Sequence, residues 1–548
     1  MRARSQGTLR AGLWGLMLVL AALDAVAGRH YVNADGISYL DLAEAWARGD
    51  WPAALNAYWS PLYSWLLAPA VMLARQARAW EAPLAHAVNF VVFVGVLAAF
   101  ECFVRSALAH VADGDGARAT RIWAYALLGR AATAMATLQF ITPDLLVAGL
   151  TFVLAALLCR IAGGDVRRRI FVALGAAAGV GYLAKLVMLV FGLTALALAL
   201  ALARPRRRAL GGVALAAATT ALIAAPFVTA LSVNEGRFTL GDAGRLNYIW
   251  SLRAFGADLL PARSLVLQSG GERRPRVIVE APRAWDLRGP VAGTVPFWYS
   301  PTYWNRGDHV SFSAYAQGRV LVEALRALRR LLVPWWPALL GLVILVVAAG
   351  RTARRRSGWP LWYLAVFGAV PFVVYLPVHL EARFVSAPLV LIFFVAFVSL
   401  RGSSGAVVRV QKAAAWLVLA ALLVPSLALR VGELARDVRE RPLASTDITA
   451  ERLRSLGARP GDGIAVVGNF YEAHWARIAG VRVVAVVDAD EAFDAARTDL
   501  APAPQVAAAL AATGARAIVS DRGPAPAVAP GEWTVLHGAL YARPLGAP

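Results

Sequence analysis

Five charged side chains pose the chemical question. Asp35 follows the first apolar run, Asp144 sits in "TPD" (142–144), Lys185 closes "LAK" (183–185), and Glu381 and Arg383 lie in "EARF" (381–384). A carboxylate can take a proton from a reacting group, and an ammonium or guanidinium can stabilise negative charge as it develops. Each residue also has a plainer reading. Asp35 suits an N-cap with Ser38 at N3. Thr142, Pro143 and Asp144 spell a helix start as cap, N1 and first-turn acid. Structural ion pairing stays open for all five.

The elements that must position them are membrane helices. The chain has 548 residues, is 59% hydrophobic and 16% charged, and has a mean hydropathy of +0.58. Apolar runs of the length that crosses a bilayer recur along it, so the fold class is a multi-pass α-helical membrane protein. The net charge of +21 does not signal nucleic acid, because much of the arginine falls in short clusters between apolar runs (167–169, 204–208, 351–356). That is the pattern of topology signals. Cys102 and Cys159 lie inside apolar runs, and the seven histidines are scattered, which excludes a disulfide framework and a Cys- or His-based metal site. A Gly/Ala/Arg-rich chain with two lysines matches a GC-rich bacterial genome.

With a basic N-terminus inside, about eleven spans are expected, near 11–28, 84–104, 121–140, 144–162, 170–183, 186–203, 209–231, 332–350, 359–378, 384–400 and 413–430. "DAVAGRH" (24–30) also resembles a signal-peptide cleavage site, which would leave the next stretch outside either way. The run at 64–74 is too short to span and contains Pro69, so it reads as interfacial or re-entrant. Outside lie 29–83, a loop over 232–330, and a C-terminal stretch. Residues 1–430 form the membrane domain and 431–548 a small outer α/β domain, with "GIAVVGN", "VRVVAVV" and "RAIVSD" as buried strands and no Gly-rich phosphate loop.

Residues 36–48 are expected to form an amphipathic helix in the interface plane, with Ser38, Asp41, Glu44 and Arg48 as a polar stripe. Asp41 and Glu44 are expected to be mostly solvated. In "FWYSPTYWNRGDH" (297–309), Tyr303 and Trp304 suit either stacking on a sugar or seating at the headgroup layer. The topology puts Asp35, Asp144, Lys185 and the Glu381/Arg383 pair on one membrane face, where they can converge on one pocket.

The order and sidedness of these motifs resemble the GT-C superfamily of polyprenyl-phosphate-dependent glycosyltransferases, in the branch with aminoarabinose transferases and protein O-mannosyltransferases. The residues that carry the resemblance are "ADGISYLDLA" after helix one, "YWSPLY" (58–63), "PD" (143–144), "LAK" and "EARF", over about residues 10–430. The resemblance implies a sugar donor on a lipid phosphate, an unknown envelope acceptor, and direct inverting transfer at the outer face of a bacterial inner membrane. It implies Asp35 as general base, Asp144 as a second acid in the same cavity, and Lys185, Arg383 and Glu381 near the lipid phosphate. Tyr39, Tyr63, Tyr303 and Trp304 are the candidate sugar or acceptor contacts. Phe384 stands where the family often has Tyr, and "DGISY" replaces the more usual "DExxY". No cofactor is implied, and a single first-loop carboxylate would hold a divalent metal poorly. A transporter or flippase and a non-catalytic scaffold remain alternatives. Transporters usually show internal repeats and mid-membrane polar groups, neither of which is seen here.

Overall fold

The computed structural model describes residues 2–110, 115–256, 273–280, 283–354, 361–400, 405–440, 445–487, 504–521, 533–538 and 540–545. Seven helical stretches are long and apolar enough to cross a membrane: Gln6–Ala27, Arg78–Leu108, Asp144–Ala162, Arg206–Glu235, Ala314–Ala348, Ala382–Ser399 and Gly405–Arg436. The four other expected spans are also helices, Asp115–Ala134, Arg168–Ala184, Met188–Leu202 and Trp362–Tyr375. The first of these carries Arg118, Arg121 and Arg130, and the others have 17, 15 and 14 residues. The chain is a multi-pass α-helical membrane protein. The helix Pro61–Ala74 has 14 residues. At 1.5 Å per residue that is roughly 21 Å, short of a core about 30 Å thick.

Two ion pairs stand out inside the bundle. Glu101 accepts bonds from Arg121 and Tyr125, both at 2.7 Å. Asp24 on the first helix meets Arg430 on the last at 2.7 Å, which ties the two ends of the membrane region together. Around these pairs pack Phe93, Phe100, Phe103, Trp123, Phe152 and Phe394.

Above the bundle lies a seven-stranded sheet of order β1-β2-β4-β3-β5-β7-β6. The strands are β1 Arg276–Glu280, β2 Arg283–Asp286, β3 Gly463–Val467, β4 Arg482–Val487, β5 Ala515–Ser520, β6 Thr534–His537 and β7 Leu540–Pro544. β3 is parallel to β4 and β5, and the outer pairings are antiparallel. The three strands expected from sequence are the parallel centre, whose residues are buried on both faces as such strands are. β1 and β2 come from the 232–330 loop, with Trp285 opposite Val486. The sheet domain also shares one core with the helices of residues 34–74 and the 232–330 loop, in which Tyr39, Trp59, Phe297 and Trp304 lie with Trp475, Val483 and Leu536.

The helix Ala34–Arg48 corrects one expectation. Asp41 and Glu44 are not solvated. Asp41 is 8% exposed, accepts bonds from the Thr294 amide and hydroxyl at 2.8 and 2.9 Å, and meets Arg477 at 2.5 Å. Glu44 faces Arg78 and Arg477, each at 3.1 Å. These guanidiniums outweigh the effect of burial and hold the Glu44 carboxyl below its usual range. The polar stripe faces protein because the sheet domain covers it.

Candidate active site

Four separate turns deliver the site. The first is the start of the Ala34–Arg48 helix. Its N-cap is Asn33, whose Oδ1 accepts from the Ile141 amide at 2.9 Å and so holds the 141–144 turn against it. Asp35 lies one position into the helix. Its oxygens meet Arg383 Nη1 at 2.9 Å and the Trp298 indole at 3.3 Å. Asp35 is therefore not the cap.

Asp144 opens the Asp144–Ala162 helix, with Pro143 as N-cap, and is 2% exposed. Thr142 does not cap the helix. Its hydroxyl donates to Asp144 Oδ2 at 2.9 Å. Lys185 ends the Arg168–Ala184 helix in an extended conformation and reaches Asp144 Oδ1 at 2.7 Å. Arg383 sits in the 3-10 turn Ala382–Val385, and its Nη1 is also 3.5 Å from Asp144. One guanidinium thus bridges the two acids. Its Nε donates to Glu381 at 2.6 Å, and Glu381 also meets His379 at 3.0 Å. Burial would raise the Glu381 carboxyl, but the His379 and Arg383 bonds outweigh it and hold it at about 2. Phe384 lies under both cations, with Lys185 Nζ 4.1 Å from the ring centre.

Asp35, Lys185, Glu381 and Arg383 line one cavity of about 440 Å³. Tyr58, Asn247 and Trp298 complete its polar side, and Leu189, Val190 and Val374 give it an apolar flank. Asp144 sits directly behind the cation pair. Such a cavity takes an amphiphile with a charged head.

The aromatic candidates fall elsewhere. Tyr39 is buried edge-on against Trp59 and Tyr63, and the Tyr63 hydroxyl donates to Asn89 at 2.6 Å. Trp304 is buried, with its indole donating to the Pro296 carbonyl at 3.0 Å. None of these three lines the cavity. Tyr303 lines a separate cavity of about 420 Å³ with Asp50, Glu235 and Arg306. The residues missed are Tyr58, Asn247 and Trp298. The first and last lie inside the two aromatic-proline motifs, beside the rings expected from sequence. Among the described residues, no group of three or more His, Cys, Asp or Glu side chains is placed to hold a metal.

The architecture matches a solved structure along nearly its whole length. ArnT from Cupriavidus metallidurans in the apo state superposes with a TM-score of 0.52 at 15% identity, covering 97% of this chain and 98% of that one. The chain has the GT-C fold. A structure of the same ArnT bound to undecaprenyl phosphate gives a TM-score of 0.37 at 15% identity, with 97% of each chain covered. The Archaeoglobus fulgidus oligosaccharyltransferase, tethered to an acceptor peptide, gives 0.48 at 13% identity, over 92% of this chain and 68% of that one. The fold assignment rests on the apo ArnT comparison. No family model and no curated protein sequence matches. In this chain the four turns that carry charge meet around Arg383, while the 232–330 loop supplies Trp298 and two strands of the sheet.

Proposed function

We propose that the protein transfers a sugar from a polyprenyl-phosphate donor to an acceptor at the outer face of a bacterial inner membrane, with inversion and with Asp35 as base. In this reading the N-terminus is cytoplasmic and the sheet domain periplasmic. The observation that carries it is the Arg383 bridge between Asp35 and Asp144 at a cavity with an apolar flank. A transporter or a scaffold has no need for two acids from separate turns to meet one guanidinium.

The charge balance suggests the order of events. Three carboxylates surround two fixed cations, so an incoming phosphate competes with a carboxylate for Arg383. Asp35 is the more accessible acid, 17% exposed against 3% for Asp144. The phosphate takes its place on Arg383, and Asp35 is released toward the acceptor. The acceptor hydroxyl or amine gives its proton to Asp35 and attacks the anomeric carbon. The bond from that carbon to the phosphate oxygen breaks, and the polyprenyl phosphate leaves with its new charge on Arg383 and Lys185. Asp144 keeps Lys185 aimed.

The test is release of polyprenyl phosphate by the purified full-length protein. It is supplied with a panel of polyprenyl-phosphate sugars and an envelope extract as acceptor. Release that depends on both donor and extract is expected. No release from any donor, together with no saturable binding of polyprenyl phosphate, rejects the reading.

A further inference from the structure

At the opposite end of the bundle from Asp35 lies a cavity of about 1090 Å³, between the starts of the helices Arg168–Ala184 and Arg206–Glu235. The two helices are locked close together. Gly175 has no room for a Cβ against Ala216, one at Gly179 would lie 2.9 Å from Ile223, and Thr220 donates to the Gly175 carbonyl at 3.0 Å. Small residues at such a crossing bring helix backbones together. As a result, both helix starts open onto the same space.

That space is cationic with an apolar floor. Arg167 and Arg168 line one side, and Arg207 and Arg208 the other. The nearby acid, Asp165, is already held by Arg160 at 2.7 Å and Arg167 at 2.6 Å. Among the described residues, Arg168, Arg207 and Arg208 have no ion-pair partner. Phe171, 1% exposed, forms the floor against Gly212, where a Cβ would strike its ring. On the same two helices Val172, Leu210 and Leu222 are 41%, 59% and 76% exposed.

We propose that this cavity binds an anionic phospholipid of the leaflet opposite the Asp35 site, with the two-phosphate headgroup of diphosphatidylglycerol as the best fit. Guanidiniums suit phosphate oxygens in paired contacts, and the two helices present Arg168 on one side and the Arg207/Arg208 pair on the other. One phosphate sits on Arg168, the other on Arg207 and Arg208, and the acyl chains follow Val172 and Leu210. The exposed apolar side chains on the two membrane helices favour a lipid over free phosphate. A basic pocket between membrane helices is a known type of lipid-headgroup site. The proposal is independent of the reaction assigned to the other end.

The experiment is native mass spectrometry of the full chain, titrated with diphosphatidylglycerol, phosphatidylglycerol and phosphatidylcholine in separate samples. One retained diphosphatidylglycerol is expected, held at least tenfold more tightly than phosphatidylcholine. The double variant Arg207→Gln/Arg208→Gln should lower retention at least tenfold. Arg105→Gln, on a neighbouring helix and outside the cavity, should leave it unchanged. Gly211→Leu fills open space at the cavity wall without removing charge, and it should also block retention. Equal retention of all three lipids overturns the proposal, as does retention indifferent to both the arginine and Gly211 variants. Displacement of the lipid by millimolar inorganic phosphate would make this a free-phosphate site instead.

Discussion

Arg477, on the sheet domain, grips Glu81 at the start of a membrane helix through two bonds, Nε to Oε1 at 2.6 Å and Nη2 to Oε2 at 2.9 Å. Both side chains are almost wholly buried, at 2% and 3% exposure. The same guanidinium holds Asp41 and Glu44, so the helix that begins with Asp35 is clamped at mid-length by the C-terminal domain. Nearer the site the domain touches again, where Tyr471 packs edge-on against Trp298 at 5.2 Å and the Trp298 indole reaches Asp35.

Removing that guanidinium leaves the buried Asp41 and Glu81 carboxylates without a cation, while Glu44 keeps Arg78. Losing one partner of a buried pair costs about 3–5 kcal/mol. Arg477→Met should therefore lower the unfolding midpoint markedly and expose the sheet domain to limited proteolysis, while Arg477→Lys should fall between it and the parent. A melting curve unchanged in Arg477→Met would mean the cluster contributes nothing to docking.

Asp35 and Asp41 separate catalysis from stability. Asp35→Asn keeps size and an acceptor oxygen, so folding should be spared while turnover falls about 10²–10⁴-fold, the usual contribution of a general base. Asp41→Asn should do the reverse, because it loses charge beside Arg477 yet lies away from the cavity. Turnover assays and melts on the two variants check this. Activity within about threefold of the parent in Asp35→Asn removes Asp35 from the chemistry.

Arg383→Lys tests the bridge. A lysine cannot touch Asp35, Asp144 and Glu381 at once. Hydrogen bonds to charged groups are worth about 1.5–3 kcal/mol. Loss of one such bond corresponds to roughly 10–150-fold weaker binding of polyprenyl phosphate. Binding of the lipid phosphate to the purified variant is the measurement, and Lys185→Gln should show a smaller loss.

Acid should loosen the domain contact. Both ring nitrogens of His474 are buried without a hydrogen-bond partner, among Glu81, Arg477, His86 and His30. Burial pushes its imidazole down from an ordinary 6.5 to about 4. The unfolded chain therefore binds the proton more readily. The stability carried by neutral His474 is complete above about pH 6.5, declines as pH falls, and is gone below about 4, a change of about 3 kcal/mol. His474→Phe should flatten this part of the pH–stability profile. Identical profiles for the parent and His474→Phe would count against it.

The site was legible in sequence where helix ends carry it. Asp35, Asp144, Lys185 and Arg383 lie at turns whose sidedness follows from counting spans, so their convergence could be read without knowing any contact. Trp298 and Arg477 could not be found that way. Trp298 meets Asp35 across 263 positions, and Arg477 meets Asp41 across 436. No periodicity links residues that far apart. Asp41 misled for the same reason, since an acidic stripe on an amphipathic helix reads as solvent-facing until a cation from another part of the chain covers it. β1 and β2 are short, and β1 is a largely exposed edge strand while β2 is largely buried, so neither shows an alternation legible in sequence.

The sheet imposes an order on biogenesis. β2 is synthesised between two membrane helices, but its partner strand, with Val487 opposite Ala284, is not made until every later span has been made. Until then Trp298 has no Tyr471 to lean on, and the helix behind Asp35 lacks its Arg477 clamp. Nascent and truncated chains can reach the bilayer yet hold an unfinished pocket, so the pocket is complete only when β4 has been synthesised and paired with the β2 strand that has been waiting for it.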